Sequence, residues 1–179
     1  MDAAIREAQQ CGRDVPVGCV IVKAGKMIGR GHNTREQDRS VFGHAEMAAI
    51  AEACRFTGDW RLSGADLYVT LEPCPMCAGA IRAARISRVY FGLYDKKEGA
   101  AGTVWNLLYP DTEVFGGILA EACGALLSRF FTDLRQHRSG LPPSEGMALP
   151  DGAPAEGVFS AEDYLLTENN LPLDSSPSL

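Results

Sequence analysis

The sequence has 179 residues, of which 46% are hydrophobic and 22% charged, and its formal net charge is −6. A chain of this length and apolar content can bury one core of ordinary size. It contains no run near the roughly 18 apolar residues that a membrane-spanning helix needs. Residues 1–7 are charged and lack the apolar centre of a signal peptide. We therefore expect a globular protein of the cytoplasm that has no membrane partner.

The charge is divided unevenly along the chain. Residues 139–179 hold seven acidic residues, no Lys or Arg, and six of the ten prolines. Residues 1–138 therefore carry all 17 basic residues and are close to neutral. A segment rich in proline and acid, without long apolar periodicity, is typical of chain that does not fold by itself. We predict a folded domain over residues 1–138 and an acidic, flexible tail over residues 139–179.

Apolar periodicity predicts the secondary structure in chain order. A helix over residues 2–11 precedes a hairpin with strands at residues 17–22 and 27–31, and a second helix covers residues 44–56. Then follow a strand at residues 65–71, a helix that resumes after Pro75 and runs through residues 81–85, a strand at residues 89–92 and a helix at residues 118–136. This order indicates an α/β layered domain with a mixed sheet.

The last of these helices has an apolar stripe. Its members are Leu119, Ala122, Leu126 and Phe130. Residues three and four positions apart share one face of a helix, so we expect this stripe to pack on the core.

Four of the six cysteines stand alone in apolar or helical stretches. Small disulfide-stapled domains are usually shorter and lack a large aliphatic core. We therefore expect the isolated cysteines to be buried apolar residues, not disulfide partners. They are Cys11, Cys19, Cys54 and Cys123.

The remaining two cysteines belong to a pattern that predicts a metal site. Cys74 lies between two prolines, and Cys77 follows it with the spacing C-x-x-C. His44 stands thirty positions before Cys74. At the start of a helix this spacing brings both sulfurs to one point, where free N–H groups and the helix dipole favour the thiolate. A histidine from another helix completes three ligands, which leaves zinc a fourth position for water, as in catalytic sites. We predict one zinc ion per chain.

Glu46 converts this metal site into a candidate enzyme. Zinc lowers the pKa of a bound water to about 7, and a base must then accept the proton and return it to a leaving group. In mid-helix, positions i and i+2 face apart. The prediction that Glu46 is the catalytic residue therefore requires His44 to lie at the N-terminal end of its helix.

Three other interpretations of the pattern stay open. The two cysteines are a redox pair in thioredoxin-like proteins, or they form half of a four-cysteine zinc ribbon. A third reading makes His44 a core histidine and the cysteine spacing incidental. The first needs no His-x-Glu, and the second needs another C-x-x-C, which the chain does not have. His-x-Glu followed by Pro-Cys-x-x-Cys is the signature of zinc-dependent nucleobase deaminases.

Further segments narrow the resemblance to one group of these deaminases. Over about residues 2–138 the chain resembles the bacterial tRNA adenosine deaminases, within the wider cytidine deaminase superfamily. The matching segments include Asp14-Val15-Pro16-Val17-Gly18, His32-Asn33, Trp60-Arg61-Leu62, Met76-Cys77-Ala78-Gly79-Ala80 and residues 117–123.

The resemblance implies a three-layer α/β/α fold with a five-stranded mixed sheet, a homodimer, and conversion of adenosine to inosine at the wobble position of a tRNA anticodon loop. It implies that Asn33 hydrogen-bonds the target nucleoside and that Asp95 lies near the adjoining loop backbone. The residues that would line the base pocket are Val15, Ala45, Leu71 and Pro73. For two of these residues a simpler role stays open, because Asn33 can end the second strand and Asp95 can cap a turn.

Two other functions remain as alternatives. One is a deaminase of free nucleobases or nucleosides, of the cytosine, guanine or adenosine type. The other, from a different class, is a catalytically silent zinc-binding or RNA-binding module.

Overall fold

The computed structural model describes residues 1–139, in four helices and five strands. Their order is α1 (Asp2–Ala8), β1 (Gly18–Lys23), β2 (Lys26–His32), α2 (Ala45–Thr57), β3 (Ala65–Leu71), α3 (Pro75–Ala83), β4 (Arg88–Leu93), β5 (Glu113–Phe115) and α4 (Ala120–Ser139). The predicted tail over residues 139–179 lies, apart from its first residue, outside the described residues. The division into domain and tail stays a prediction.

The strands form one mixed sheet in the order β2-β1-β3-β4-β5. β1 pairs antiparallel with β2 and β3, whereas β3, β4 and β5 run parallel. The parallel strands point their carboxyl ends toward one edge, where Glu72 and Asp95 follow β3 and β4. The prediction of an α/β domain with a five-stranded mixed sheet is confirmed.

Glycines on the strands allow the helices to approach the sheet closely. A Cβ on Gly31 of β2 would lie 2.5 Å from the Ala45 carbonyl oxygen at the start of α2, and one on Gly18 of β1 would overlap the Ala4 carbonyl of α1. Gly18 and Cys19 point to opposite faces of β1, and Cys19 pairs with Gly31. α1 and α2 therefore cover opposite faces of the sheet. Three layers result, as predicted.

The packing of α4 differs from the prediction by one position. Among its described side chains, the buried apolar ones are Cys123, Leu127 and Phe131, while Leu119 is 48% exposed and precedes the helix. Apolar residues occur in adjacent pairs along α4, so two neighbouring stripes are equally amphipathic. Gly92 decides between them, because the Cys123 sulfur lies where a Gly92 side chain would be. The prediction is thus wrong for Leu119 and Ala122, which are exposed, whereas Leu126 is half-buried and Phe130 packs against the buried residues.

Element boundaries differ at several further places. α1 ends at Ala8, not at residue 11, and α4 begins at Ala120. β5 was not predicted from the pattern, since it has three residues, two of which are exposed. The isolated cysteines behave as expected: all six cysteines are free, three of the four isolated ones are buried, and Cys54 is half-buried. Among the described residues there is no helix with the length and apolar character to cross a membrane.

Candidate active site

Two helix starts bring the predicted metal ligands together. His44 is the N-cap of α2, with extended backbone (φ −90°, ψ 146°), and Cys74 is the N-cap of α3. Pro75 occupies the first turn of α3, where the missing N–H costs no helical hydrogen bond. Cys77 lies in the same turn, so both sulfurs face the positive end of the α3 dipole. His44 therefore lies at the N-terminal end of its helix, as the predicted role of Glu46 requires.

The three donor atoms fit one zinc ion. His44 Nδ1 lies 3.6 Å from Cys74 Sγ and 3.5 Å from Cys77 Sγ, and all three donors lie within 4.8 Å of one another. A nitrogen at about 2.0 Å and a sulfur at about 2.3 Å from one tetrahedral ion are about 3.5 Å apart. The distances from His44 Nδ1 to both sulfurs thus match the nitrogen–sulfur edges of a zinc tetrahedron. One histidine and two cysteines are also a donor set that zinc prefers.

The electrostatics favour a thiolate at this point. Hydrogen bonds from the Cys77 thiol and from His44 lower the pKa of Cys74 to about 4, although burial opposes its ionisation. The same contact with Cys74 raises the pKa of His44. The pKa of Cys77 is raised, because its thiol donates to Cys74 and is itself buried. The two cysteines therefore hold negative charge, which would favour the binding of a divalent cation.

Glu46 lies beside the three donors. It is only 4% exposed, and its carboxylate lies close to the Cys77 thiol. Burial raises the pKa of Glu46 to about 7. The two-residue spacing from His44 is compatible with a shared site, because His44 precedes the helix and Glu46 lies in its first turn.

A cavity of about 320 Å³ opens over the donors. His44, Glu46 and Cys74 form part of its wall. Of the residues predicted to contact substrate, five also line it, namely Val15, Asn33, Ala45, Leu71 and Asp95. Pro73 is buried behind this wall, where its carbonyl accepts the Ala100 N–H at 2.8 Å. The structure thus gathers the predicted residues around one cavity, and their roles toward a substrate stay predictions.

The Asn33 amide has a defined orientation. Its Nδ2 donates to the Val15 carbonyl at 3.0 Å, and its Oδ1 accepts the Arg35 N–H at 3.2 Å. A carbonyl oxygen only accepts and a backbone N–H only donates, so the partners distinguish Oδ1 from Nδ2. One N–H and one lone pair remain for a ligand. Asn33 directly follows β2, so its position also fits the simpler role of ending that strand.

Asp95 caps a turn while lining the cavity. Its Oδ1 accepts the N–H groups of Lys97 at 2.9 Å and Glu98 at 3.1 Å. Its own N–H donates to the buried Glu72 carboxylate at 3.0 Å. Glu72 also accepts the N–H groups of Ala101 and Thr103. The wall that carries Asp95 is therefore held by Glu72, which directly precedes Pro73 and the ligand Cys74.

Several lining residues were not predicted as part of the site. Two are the buried carboxylates Asp14 and Glu72, which are 1% and 2% exposed. Asp14 stands in a segment that carried the resemblance, but acidic residue types favour the surface. Arg35 and Lys97 complete the charged rim.

Comparison with known proteins agrees with this geometry. Residues 1–93 match the family model of the cytidine and deoxycytidylate deaminase zinc-binding region. The tRNA-specific adenosine deaminase of Bacillus subtilis is 48% identical over 145 residues, covering 77% of this chain and 90% of that protein. That of Agrobacterium fabrum is 41% identical, covering 75% of this chain and 93% of that protein.

Solved structures give the same result. One, from studies of A-to-I editing by tRNA:A34 deaminases at the wobble position, is 40% identical, with a TM-score of 0.68 and coverage of 71% of this chain and 97% of that one. A guanine deaminase from Nitrosomonas europaea covers 72% of this chain and 81% of its own at 20% identity, with a TM-score of 0.65, and shows the fold alone. The chain belongs to the zinc-binding cytidine and deoxycytidylate deaminase family and, within it, to the tRNA-specific adenosine deaminases.

Proposed function

We propose that this protein is a zinc-dependent hydrolytic deaminase that converts adenosine to inosine at the wobble position of a tRNA anticodon loop. One observation carries the proposal: the donors of His44, Cys74 and Cys77 have zinc spacing, and the buried Glu46 carboxylate lies beside them at the wall of a cavity. The tRNA-specific relatives support the substrate.

The chemistry divides between the metal and the chain. Zinc held by three protein ligands makes water acidic enough to act as a nucleophile near neutral pH. Glu46 then accepts one proton from the attacking water and passes it to N1 of the adenine ring, and it carries the second proton of that water to the departing amino group. The bond between C6 and the exocyclic amino nitrogen breaks, ammonia leaves, and a carbonyl remains at C6, so adenosine and water become inosine and ammonia. A carboxylate whose pKa burial raises can both accept a proton and return it.

The cavity has the size and lining for a base. Val15, Ala45 and Leu71 offer apolar surface, and Asn33 keeps one donor and one acceptor for the nucleoside. In this proposal Pro73 supports the wall from behind, and Asp95 approaches the adjoining backbone. An anticodon-loop base is already unpaired, so moving it into a pocket costs less than extraction from a duplex.

We further propose that the protein is a homodimer of the cytoplasm. Trp105, Leu107 and Tyr109 are 44%, 37% and 72% exposed on one short segment, and such a cluster favours a protein contact. Six free cysteines suit a reducing compartment.

The decisive experiment compares substrates. Purified protein is incubated with a tRNA anticodon stem-loop that has adenosine at the wobble position, with a matched stem-loop that has guanosine there, with single-stranded DNA and with free adenosine, cytosine and guanine. We expect inosine at the wobble position of the first substrate alone. Ammonia release from a free base or nucleoside while the stem-loop stays unmodified would show the small-molecule alternative instead. Stoichiometric zinc without any ammonia release would show the silent module.

A further inference from the structure

One rim of the cavity is held by a carboxylate that has no role in the chemistry proposed above. Asp14 lies in the connection between α1 and β1 and is 1% exposed. Its Oδ1 accepts the Glu36 N–H at 2.6 Å, and its Oδ2 accepts the Gln37 N–H at 3.2 Å. Both donors belong to the turn at residues 34–40, between β2 and α2. Asp14 therefore ties together two loops that are distant in sequence.

The contacts of Asn33 close this connection into a ring. From Asp14 the chain continues to Val15, whose carbonyl accepts Asn33 Nδ2. Asn33 Oδ1 accepts the Arg35 N–H, and the next residue, Glu36, donates back to Asp14. Asp14, Val15, Asn33, Arg35 and Glu36 all line the cavity. The amide that faces the nucleoside is thus one link of a closed hydrogen-bonded ring.

The residue type at position 14 matters for this ring. Within residues 1–136, Asp14 takes part in no ion pair closer than 4.0 Å, so backbone N–H groups balance its buried charge. Hydrogen bonds to a carboxylate are roughly twice as strong as those between neutral groups. An asparagine of the same shape would offer one acceptor and would turn an N–H donor toward the second backbone N–H.

We propose that Asp14 is a positioning residue: through the Glu36 and Gln37 N–H groups it fixes the turn at residues 34–40 and thereby holds the Asn33 amide oriented toward the target nucleoside. This inference rests on the proposed function. Asp14 touches no reacting atom. It acts by keeping the Arg35 N–H in place, which in turn keeps the Asn33 amide from rotating.

The test compares Asp14→Asn with Asp38→Asn on the wobble stem-loop. Asp38 lies exposed on the same turn and outside the ring, so its variant removes the same charge without removing a ring contact. An interaction made equally in ground and transition states affects KM and leaves kcat unchanged. We expect Asp14→Asn to raise KM about tenfold, the size of one lost charge-assisted hydrogen bond, with kcat within threefold and zinc content unchanged. Asp38→Asn should keep the wild-type KM.

A double-mutant cycle separates positioning from general support. In an Asn33→Ala background the ring has no amide to orient, so Asp14→Asn should raise KM less than twofold further. Asp14→Glu keeps two acceptor oxygens and should restore part of the loss. A full tenfold effect in both backgrounds, or a wild-type KM for Asp14→Asn, overturns the inference.

Amide hydrogen exchange decides the matter without a substrate. In Asp14→Asn the Glu36 and Gln37 amides should exchange at least about tenfold faster, and in Asp38→Asn they should not. Unchanged exchange in a folded Asp14→Asn protein overturns the inference even if the enzyme is active. If Asp14→Asn does not fold, the same exchange measurement on Asp14→Glu decides. If the wild type fails to deaminate the stem-loop, the proposed function fails, and the exchange result still supports or overturns the ring.

Discussion

Gly99 and the Glu72 carboxylate lie so close that no side chain fits between them. A Cβ on Gly99 would overlap Glu72 Oε2 and would lie 2.5 Å from the Asp95 carbonyl oxygen. Glu72 is buried and accepts three backbone N–H groups from the loop that carries Asp95. The absence of a side chain at Gly99 is thus what permits the Glu72 carboxylate to hold this wall of the cavity.

Gly99→Ala should therefore destabilise the protein. Adding a methyl group to a packed interior costs about 1–3 kcal/mol, and we expect the free energy of unfolding to fall by that amount, with a raised KM for the stem-loop. Gly79→Ala is the matched control, since Gly79 lies inside α3 with no atom within 4 Å of its added Cβ. That variant should gain about 0.5–1 kcal/mol from helix propensity. Denaturant unfolding should show a lower free energy of unfolding for Gly99→Ala and a higher one for Gly79→Ala. Equal changes in the two variants would contradict the role assigned to Gly99.

Glu46→Gln should abolish deamination while the protein stays folded. The amide keeps the shape of the side chain but cannot carry a proton from water to the amino group. Loss of a general acid–base typically costs roughly a hundredfold to ten-thousandfold in rate. Zinc content, measured by mass spectrometry, should stay at one ion per chain, because Glu46 is not among the three donors. Measurable turnover near the wild-type rate would exclude Glu46 as the proton carrier.

Zinc binding should depend on three side chains and not on cysteine content in general. Cys77→Ala removes one of the clustered donors, and we expect loss of zinc and of all activity. Cys54→Ala removes a half-buried cysteine that lies outside the cluster, and it should keep both. Extended chelation of the wild type should reproduce the Cys77→Ala protein. If Cys77→Ala kept stoichiometric zinc, the predicted donor set would be wrong.

The sequence predicts the metal ligands better than the buried carboxylates that hold the walls of the cavity, for a physical reason. The motifs that contain His44, Cys74 and Cys77 are short and lie at two helix starts, so they can be recognised in the local sequence. Asp14 and Glu72 were missed as site residues because their partners are backbone N–H groups 22 or more positions away, and because acidic residues usually lie at the surface. Such contacts are set by the tertiary fold and leave no local pattern.

The same distinction explains the errors in the fold. β3 was predicted at its observed bounds because it has a buried apolar run between turns. β5 has three residues, and its place depends on tertiary contacts: it pairs with β4, and Val114 packs against the core. The stripe of α4 was placed one position off because the paired apolar residues fit two orientations of the helix, and only the space beside Gly92 selects Cys123.

A charge placed on the exposed segment at residues 105–109 should dissociate the proposed dimer. Tyr109 is 72% exposed, and Tyr109→Glu would put a carboxylate into an apolar contact, which costs several kcal/mol when it is left unpaired. Sedimentation should show the wild type as a dimer and the variant as a monomer. Phe56→Glu is the control, because Phe56 contacts Lys26 of β2, at the opposite edge of the sheet from β5. Dissociation by the control variant alone would assign the interface to that edge.

Removal of residues 140–179 should leave the enzyme intact and change only its electrostatics. Every residue of the candidate site, and every helix and strand that the structure describes, lies within residues 1–139. We therefore expect the truncated protein to keep its zinc, its melting temperature and its kcat. The removed segment has seven acidic residues and no basic ones, so a polyanionic RNA should bind slightly more tightly at low salt. That gain should vanish by about 0.5 M salt, where the Debye length is only a few ångströms. Loss of zinc or of thermal stability on truncation would show instead that the segment belongs to the folded domain.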